Sequence, residues 1–112
     1  MKKIEAIIRL SRFDRVRDAL AGIGVNFFTL KDVKGFGLAK GEKLTYRGSI
    51  YDADYIARLQ LDILCTAEKA DDIVAVILKA GKTGEVGDGK IIVCDVDSVT
   101  RIRTSETGAD AI

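Results

Sequence analysis

The sequence of 112 residues contains no histidine, so it lacks the side chain that most often serves as a general base or a metal ligand. Its two cysteines, Cys65 and Cys94, do not have the close C-x-x-C spacing of zinc and redox sites. Each cysteine interrupts an apolar run, and we therefore expect two buried free thiols. No serine or cysteine has an identifiable base beside it, which argues against an enzyme.

The sequence also lacks an excess of charge of one sign and any long apolar run. It has 18 basic and 17 acidic residues, and a net charge of +1 does not indicate binding to nucleic acid or to an anionic membrane. No run approaches the length of a transmembrane helix, and Glu5 and Arg9 interrupt the segment that would have to be the apolar core of a signal peptide. We expect a cytoplasmic protein that does not insert into membranes.

The first half of the chain predicts a strand, a helix and a second strand. Residues 3–9 alternate in polarity, which is typical of a strand with one buried face. We expect Ser11 to cap the following helix, with Asp14 completing a capping box. Residues 25–33 are aromatic and β-branched and predict the second strand, which reaches as far as Gly35. The apolar positions are Ile4, Ala6 and Ile8 on the first strand and Phe13, Val16, Leu20 and Ile23 on the helix, which Gly22 and Gly24 end.

The second half repeats this order. Residues 58–65 alternate strictly and predict a strand, and Thr66 is expected to cap a helix that ends at Gly81. A further strand is expected over 90–96 and a short fifth strand over 99–103. The apolar positions are Leu59, Leu61, Ile63 and Cys65 on the strand and Ala70, Ile73, Val74, Ile77 and Leu78 on the helix.

Two β-α-β halves of this kind predict an α+β fold, in which one antiparallel sheet carries both helices on one face as in ferredoxin-like proteins. With 47% hydrophobic residues, the chain suits a single domain over residues 1–112. Residues 37–54 contain polar residues and glycines without any sustained period. A loop of that length in a small domain is usually functional or disordered, and we interpret it as the working segment of the molecule.

The stretch TGEVGDGK, residues 83–90, resembles a phosphate-binding loop without being a Walker A motif. From Gly84 to Lys90 it fits G-x-x-x-x-G-K, but Ile91 stands where Ser or Thr would hold magnesium, and the stretch precedes a strand instead of a helix. Its glycines either present consecutive backbone N–H groups to an anion or form an ordinary turn. Two nearby features favour the anion: glycines in KGFG, residues 34–37, and Arg101 and Arg103, which would share one face of the expected fifth strand.

The chain resembles the PII signal-transduction proteins along its whole length. The similarity is carried by VKGFG (33–37), LTYRGSIY (44–51), KTGEVGDGKIIV (82–93) and RIRTSETGADAI (101–112). The resemblance implies a homotrimer with a ferredoxin-like fold that binds ATP and ADP in clefts between subunits, with Mg²⁺ accompanying ATP. Residues 82–90 would be the family's B-loop, 37–54 its T-loop and 98–112 its C-terminal segment. The implied nucleotide-binding residues are Thr29, Gly35, Gly37, Leu38, Leu64, Thr83, Gly87, Asp88, Gly89, Lys90, Arg101 and Arg103.

The resemblance also implies that residues 37–54 contact a partner protein, which would be an ammonium transporter or a metabolic enzyme. Tyr51 stands at the position that some members uridylylate, and Ser49 at one that some members phosphorylate. Modification of either residue is one interpretation, and a simple role in partner contact is the other.

The chain departs from the family where 2-oxoglutarate would bind. The family usually has Arg-Gln-Lys-Gly after GFG, whereas this chain has Leu38, Ala39, Lys40 and Gly41. The missing glutamine would have supplied an oxygen to the magnesium that joins ATP and 2-oxoglutarate. Arg58 replaces a lysine, which keeps the charge and changes its geometry.

Because of these departures, a 2-oxoglutarate site at Ala39, Lys40, Gly41, Arg58 and Gly87 is doubtful. Another small anion, such as bicarbonate, is the alternative co-ligand. A small enzyme acting on phosphate groups remains the alternative from a different functional class.

Overall fold

A computed structural model describes residues 1–36 and 55–112. Its order is β1 (Lys2–Ile8), a 3₁₀ turn (Leu10–Arg12), α1 (Phe13–Gly22), β2 (Thr29–Phe36), β3 (Tyr55–Cys65), α2 (Ala67–Gly81), β4 (Lys90–Asp95) and a second 3₁₀ turn (Gly108–Ala111). The four strands form one antiparallel sheet in the order β2-β3-β1-β4. This α+β arrangement confirms the predicted ferredoxin-like fold.

The core lies between the sheet and the two helices. On β1, Ile4, Ala6 and Ile8 are buried as predicted, and they pair in register with Ile63, Leu61 and Leu59 on β3. The alternation in the sequence had predicted the buried face of each strand, because residues two apart on a strand share a face. Strand β2 begins at Thr29 and not at residue 25, since the Val25 amide donates to the Leu20 carbonyl and residues 25–28 are irregular.

The helix starts differ from the predicted caps. The Arg12 amide donates to the Arg9 carbonyl, and the resulting 3₁₀ turn includes Ser11, so α1 begins only at Phe13. The capping box at Ser11 was therefore wrong, and Asp14 instead forms an ion pair with Arg17 at 3.5 Å. Thr66 does precede α2, but its side chain makes no capping hydrogen bond.

The apolar stripe of α2 was right for Ala70, Ile73 and Ile77, which are buried, and wrong for Leu78, which is 55% exposed. Helix α2 ends at Gly81 as predicted, but Gly81 is not a cap. An added Cβ there would lie 3.8 Å from Val16, which is an ordinary van der Waals contact, so the site has room for alanine.

The predicted fifth strand over 99–103 was wrong. Thr100 and Thr107 form a single antiparallel bridge, and the backbone between them turns, with the Ser105 amide donating to the Arg101 carbonyl at 2.8 Å. Both cysteines are free; Cys65 is buried, which raises the pKa of its thiol, whereas Cys94 is only half-buried, contrary to the prediction. In the described parts of the chain, no helix has the length and apolar character needed to cross a membrane.

Candidate functional site

The loop between α2 and β4 is organised around the carboxylate of Asp88. Its oxygens accept hydrogen bonds from the Thr83 amide and the Gly84 amide, both at 2.9 Å, and from the Thr83 hydroxyl. Arg9, which follows β1, donates its Nε to the same carboxylate at 2.9 Å. The contacts from Thr83 and Gly84 close residues 83–88 into a ring. The shape of the loop therefore depends on the side chain of Asp88, which is part of the loop itself.

The hydrogen bond from the Thr83 hydroxyl, followed by the bond from Arg9, holds the pKa of the Asp88 carboxyl well below its usual range. Donors that bind the ionised form favour it over the protonated form. Asp88 therefore remains a carboxylate throughout the physiological pH range.

Three arginines, two directly after β1 and one on β3, fix the backbone of the loop by donating to its carbonyl groups. Each of these carbonyl oxygens thus already accepts a hydrogen bond from within the chain. The hydrogen bonds are Arg12 to Lys82 (3.0 Å), Arg9 to Val86 (2.8 Å) and Arg58 to Gly87 (2.8 Å).

Gly87 and Gly89 have backbone conformations that other residues rarely adopt, with φ of +100° and +104°. An added Cβ on Gly89 would lie 1.8 Å from the carbonyl oxygen of Ile7, so this position requires glycine for space as well as for conformation. Among residues 1–36 and 55–112, no acceptor is found for the amide groups of Gly87 and Gly89. Free N–H groups close together in a glycine-rich turn are suited to an anion.

A first cavity of about 460 Å³ lies beside this loop, between β4 and α2. Asp88, Gly89 and Lys90 line its polar side, and Lys90 is exposed at the start of β4. Leu78, the α2 residue that the helical pattern predicted to be buried, lines its apolar side. The cavity thus brings together a lysine, a glycine-rich turn and an apolar wall.

A second cavity of about 600 Å³ lies on the face of the sheet that the helices leave open. It contains three of the residues that the sequence predicted for nucleotide binding, namely Thr29, Leu64 and Arg101. The cavity is also lined by Lys3, Phe27, Phe28, Asp62, Ala111 and Ile112.

The two cavities share no lining residue. Lys3, near the start of β1, lines the second cavity, whereas Ile7 and Ile8, at the end of β1, line the first. Thr29 and Lys90 lie on opposite edge strands, and three strand spacings separate those edges by about 14 Å. The predicted site residues therefore form two groups within one chain.

Arg101 and Arg103 do not share the face of a strand, because the backbone turns between them. Arg101 pairs with Glu106 at 3.1 Å and is half-buried, whereas Arg103 is exposed and lines neither cavity. Gly35 lies on β2 opposite Ile56. The remaining predicted residues lie outside the described residues: Gly37, Leu38, Ala39, Lys40, Gly41, Ser49 and Tyr51.

The sequence did not predict the structural role of Arg9 and Arg12. Arg9 and Asp88 are separated by 79 positions, and no local pattern relates residues so far apart. The only local signal was the spacing of two arginines directly after β1. In the described ranges, no three acidic or sulfur-bearing side chains converge as metal ligands.

Comparisons with known proteins identify the family. The family model for nitrogen regulatory protein P-II matches residues 1–106. Proteins named Nitrogen regulatory protein P-II from Pasteurella multocida and Synechocystis sp. are each 44% identical over 112 residues, which is the full length of both chains in each comparison. The Arabidopsis thaliana PII protein bound to citrate has a TM-score of 0.82 and 33% identity, covering 99% of this chain and 91% of its own. The chain therefore belongs to the nitrogen regulatory P-II family, a family of signal-transduction proteins.

Proposed function

We propose that this P-II protein senses ATP and ADP in clefts between the subunits of a homotrimer and reports their binding to a partner protein through residues 37–54. The family supports a regulatory role in nitrogen metabolism, since the curated relatives are named for it. To this regulatory role the proposal adds the identity of the ligand and the assembly of its site from two subunits.

The division of the site between two cavities is the observation that carries the proposal. One cavity offers the glycine loop and Lys90, which suit a polyphosphate, and the other offers Phe27, Leu64 and Thr29, which suit the rest of a nucleotide. Because the two groups are separated in one chain, a complete site would form where the first group of one copy meets the second group of the next. A cyclic homo-oligomer repeats that contact at every interface.

The loop geometry supports phosphate as the ligand of the first group. The carbonyls of Lys82, Val86 and Gly87 are held by arginines, while the amides of Gly87 and Gly89 have no acceptor in the described ranges. Lys90 adds a positive charge directly after these amides, and a lysine beside backbone N–H groups is a common arrangement for phosphate.

Residues 37–54 are proposed to contact the partner, which would be an ammonium transporter or a metabolic enzyme. Phe36 and Tyr55, the last residue of β2 and the first of β3, are paired in the sheet. The segment therefore leaves and re-enters the domain at one point, next to Gly35 and Arg58 of the proposed site. A ligand bound at this point can change the segment without changing the core.

The co-ligand is proposed to be a small anion other than 2-oxoglutarate, such as bicarbonate. Arg58 donates to the Gly87 carbonyl and to the Ala57 carbonyl, so it already has two acceptors before any carboxylate arrives. Ala39 also replaces the glutamine that the family uses at this point. The Arabidopsis PII protein bound to citrate indicates that a related protein of this fold can hold a small carboxylate anion.

We further propose that the protein is not an enzyme and that it acts in the cytoplasm. The sequence offers no histidine, and a sensor needs only to bind nucleotide and release it. Two free cysteines agree with a reducing compartment.

Isothermal titration calorimetry with ATP, ADP and AMP, each with and without Mg²⁺, tests the proposal. We expect micromolar affinity for ATP and ADP, and about ten- to a hundredfold weaker binding after Lys90→Ala, because a charge-assisted contact to phosphate is lost. Lys79→Ala, which removes an exposed lysine from α2, serves as the matched control. Unchanged ATP affinity in a folded Lys90→Ala variant would contradict the phosphate assignment.

Titration also tests the identity of the co-ligand, and an assay of phosphate release tests whether the protein hydrolyses ATP. In protein saturated with Mg-ATP, 2-oxoglutarate is expected to bind weakly, and Ala39→Gln is expected to strengthen it. Tight binding of 2-oxoglutarate that the glutamine does not improve would refute the assigned role of position 39. Rapid release of inorganic phosphate from ATP would favour the enzyme alternative.

A further inference from the structure

Phe27 is an aromatic side chain without a place in the core. It is 84% exposed in the isolated chain, whereas its neighbour Phe28 packs against the core and meets Phe13 edge-on, with ring centroids 6.2 Å apart. Single exposed apolar residues are common on proteins and need no explanation by themselves. Phe27 differs because it lines the second cavity.

The other walls of this cavity complement an aromatic ring. Leu64 is 41% exposed and offers an apolar surface from β3. Thr29 and Asp62 face each other in the register of β2 and β3, and both line the same cavity. The Thr29 hydroxyl is a polar group of this wall, whereas the Asp62 carboxylate is paired with Lys31 and accepts a hydrogen bond from Gln60, both at 2.9 Å. An aromatic ring, an aliphatic wall and a few polar groups are the features that a planar heteroaromatic ligand requires.

We propose that Phe27 stacks on the adenine ring of the nucleotide and makes the site selective for nucleotides over other polyphosphates. This inference rests on the proposed function, because it assigns the base to the second cavity and the phosphates to the glycine loop. Phe27 contributes binding free energy through its aromatic face, and the hydroxyl group of Thr29 lines the same cavity and suits the polar edge of the base. Phosphate recognition by Lys90 does not depend on it.

A fluorescence experiment tests the stacking directly. The chain contains no tryptophan, so Phe27→Trp introduces a single fluorophore at the proposed contact. We expect ATP and ADP to quench the emission of this tryptophan, because a stacked base quenches an indole ring. Inorganic tripolyphosphate, which carries the phosphates without a base, should leave the emission unchanged.

Affinity measurements on two further variants distinguish the contribution of the aromatic face of Phe27 from that of its apolar volume. Phe27→Ala is expected to weaken ATP binding by about five- to a hundredfold, the range for loss of a stacked base, and Phe27→Leu to retain only part of the affinity. Binding of tripolyphosphate should be the same in all three proteins. Leu10→Ala, which removes a 51% exposed apolar side chain that lines neither cavity, should not affect either ligand.

Two results would overturn the inference and leave the proposed function intact. One is normal ATP affinity in Phe27→Ala; the other is a tryptophan at position 27 whose emission is already blue-shifted without nucleotide and does not respond to ATP. The second result would mean that this ring packs against another copy of the chain. If the unmodified protein binds neither ATP nor tripolyphosphate, both the inference and the proposed function are wrong.

Discussion

Gly89 stands where the loop crosses the end of β1, and its replacement should be the most costly of the loop glycines. We expect Gly89→Ala to lower the free energy of unfolding by about 3 kcal/mol or more, because the new Cβ would overlap the Ile7 backbone as well as strain a φ of +104°. Gly84→Ala is the matched control, since its φ is +89° but no atom lies within 4 Å of the added Cβ. There the cost should be about 1 kcal/mol, from conformation alone.

Urea denaturation at one fixed protein concentration measures both costs, since the stability of an oligomer depends on concentration. Equal costs at the two positions would show that the loop can move away from β1 freely.

Asp88 provides a pH-dependent contribution to stability. Its folded-state pKa is lowered by the Thr83 hydroxyl first and by Arg9 second, so its stabilisation is complete above the ordinary carboxyl pKa of about 3.9 and is lost as the pH falls toward the lowered folded-state value. We expect Asp88→Asn to be less stable than the parent at pH 7, and the difference to shrink below about pH 4.

Thermal unfolding of both proteins between pH 3 and 7 measures this difference, with Asp71→Asn, an exposed position on α2, as the control. A difference that stays constant over this range would mean that the charge of Asp88 is not what holds the loop.

For single residues, the order of the sequence predicted a glycine-rich loop that ends at Lys90 and precedes a strand, and the structure confirms that this loop opens β4 and not a helix. The sequence did not show that the carboxylate of Asp88 turns inward to bind its own loop. That contact depends on the backbone path, which the order of residue types does not specify.

Arg9 links β1 to the loop before β4, and this contact between elements has a measurable consequence. Its Nε donates to Asp88 and its Nη2 to the Val86 carbonyl. We expect Arg9→Ala to weaken ATP binding about tenfold and to lower the free energy of unfolding by about 1–2 kcal/mol. Arg9→Lys should recover only part of the ATP affinity and part of the stability, because one ammonium group cannot reproduce a forked pair of donors.

Calorimetry and urea denaturation supply these two readouts, and Arg15→Ala, an exposed position on α1, is the control. If the lysine variant had the ATP affinity and the stability of the parent, Arg9 would act only as a positive charge near the loop.

The C-terminal segment shows why an element can be predicted incorrectly from a sound pattern. Alternation over residues 99–103 indicated a strand, but Ile102 is 98% exposed and faces no core. Alternation reports which residues share a face only if a strand forms, and a strand needs a neighbour. Strands β1 and β3 were predicted well because their alternating residues are buried against the helices.

Assembly is the property on which the whole proposed function depends. We expect light scattering of the purified protein to give three times the chain mass of 12.2 kDa, with or without nucleotide. Exposed apolar side chains on the isolated chain, including Val86 and Ile102, support contacts with further copies. If a monomeric fraction of the protein bound ATP as tightly as the trimer, the proposal of a cleft shared between subunits would be refuted.

The fold of the whole molecule followed from the order and periodicity of its elements, because two β-α-β halves with one buried face allow few arrangements. The separation of the candidate site residues into two groups could not be predicted from that order and periodicity. It depends on the sheet order β2-β3-β1-β4, which puts Thr29 and Lys90 on opposite edges, and strand order is set by packing between elements distant in sequence.

That sheet order makes the proposed site open to complementation between defective chains. A Lys90→Ala chain keeps its base-binding half, and a Phe27→Ala chain keeps its phosphate-binding half. If the two are unfolded together and refolded, every mixed trimer has one interface at which the two intact halves meet, so strong nucleotide binding reappears in a mixture of two weak binders. Two defects placed in the same half would not rescue each other.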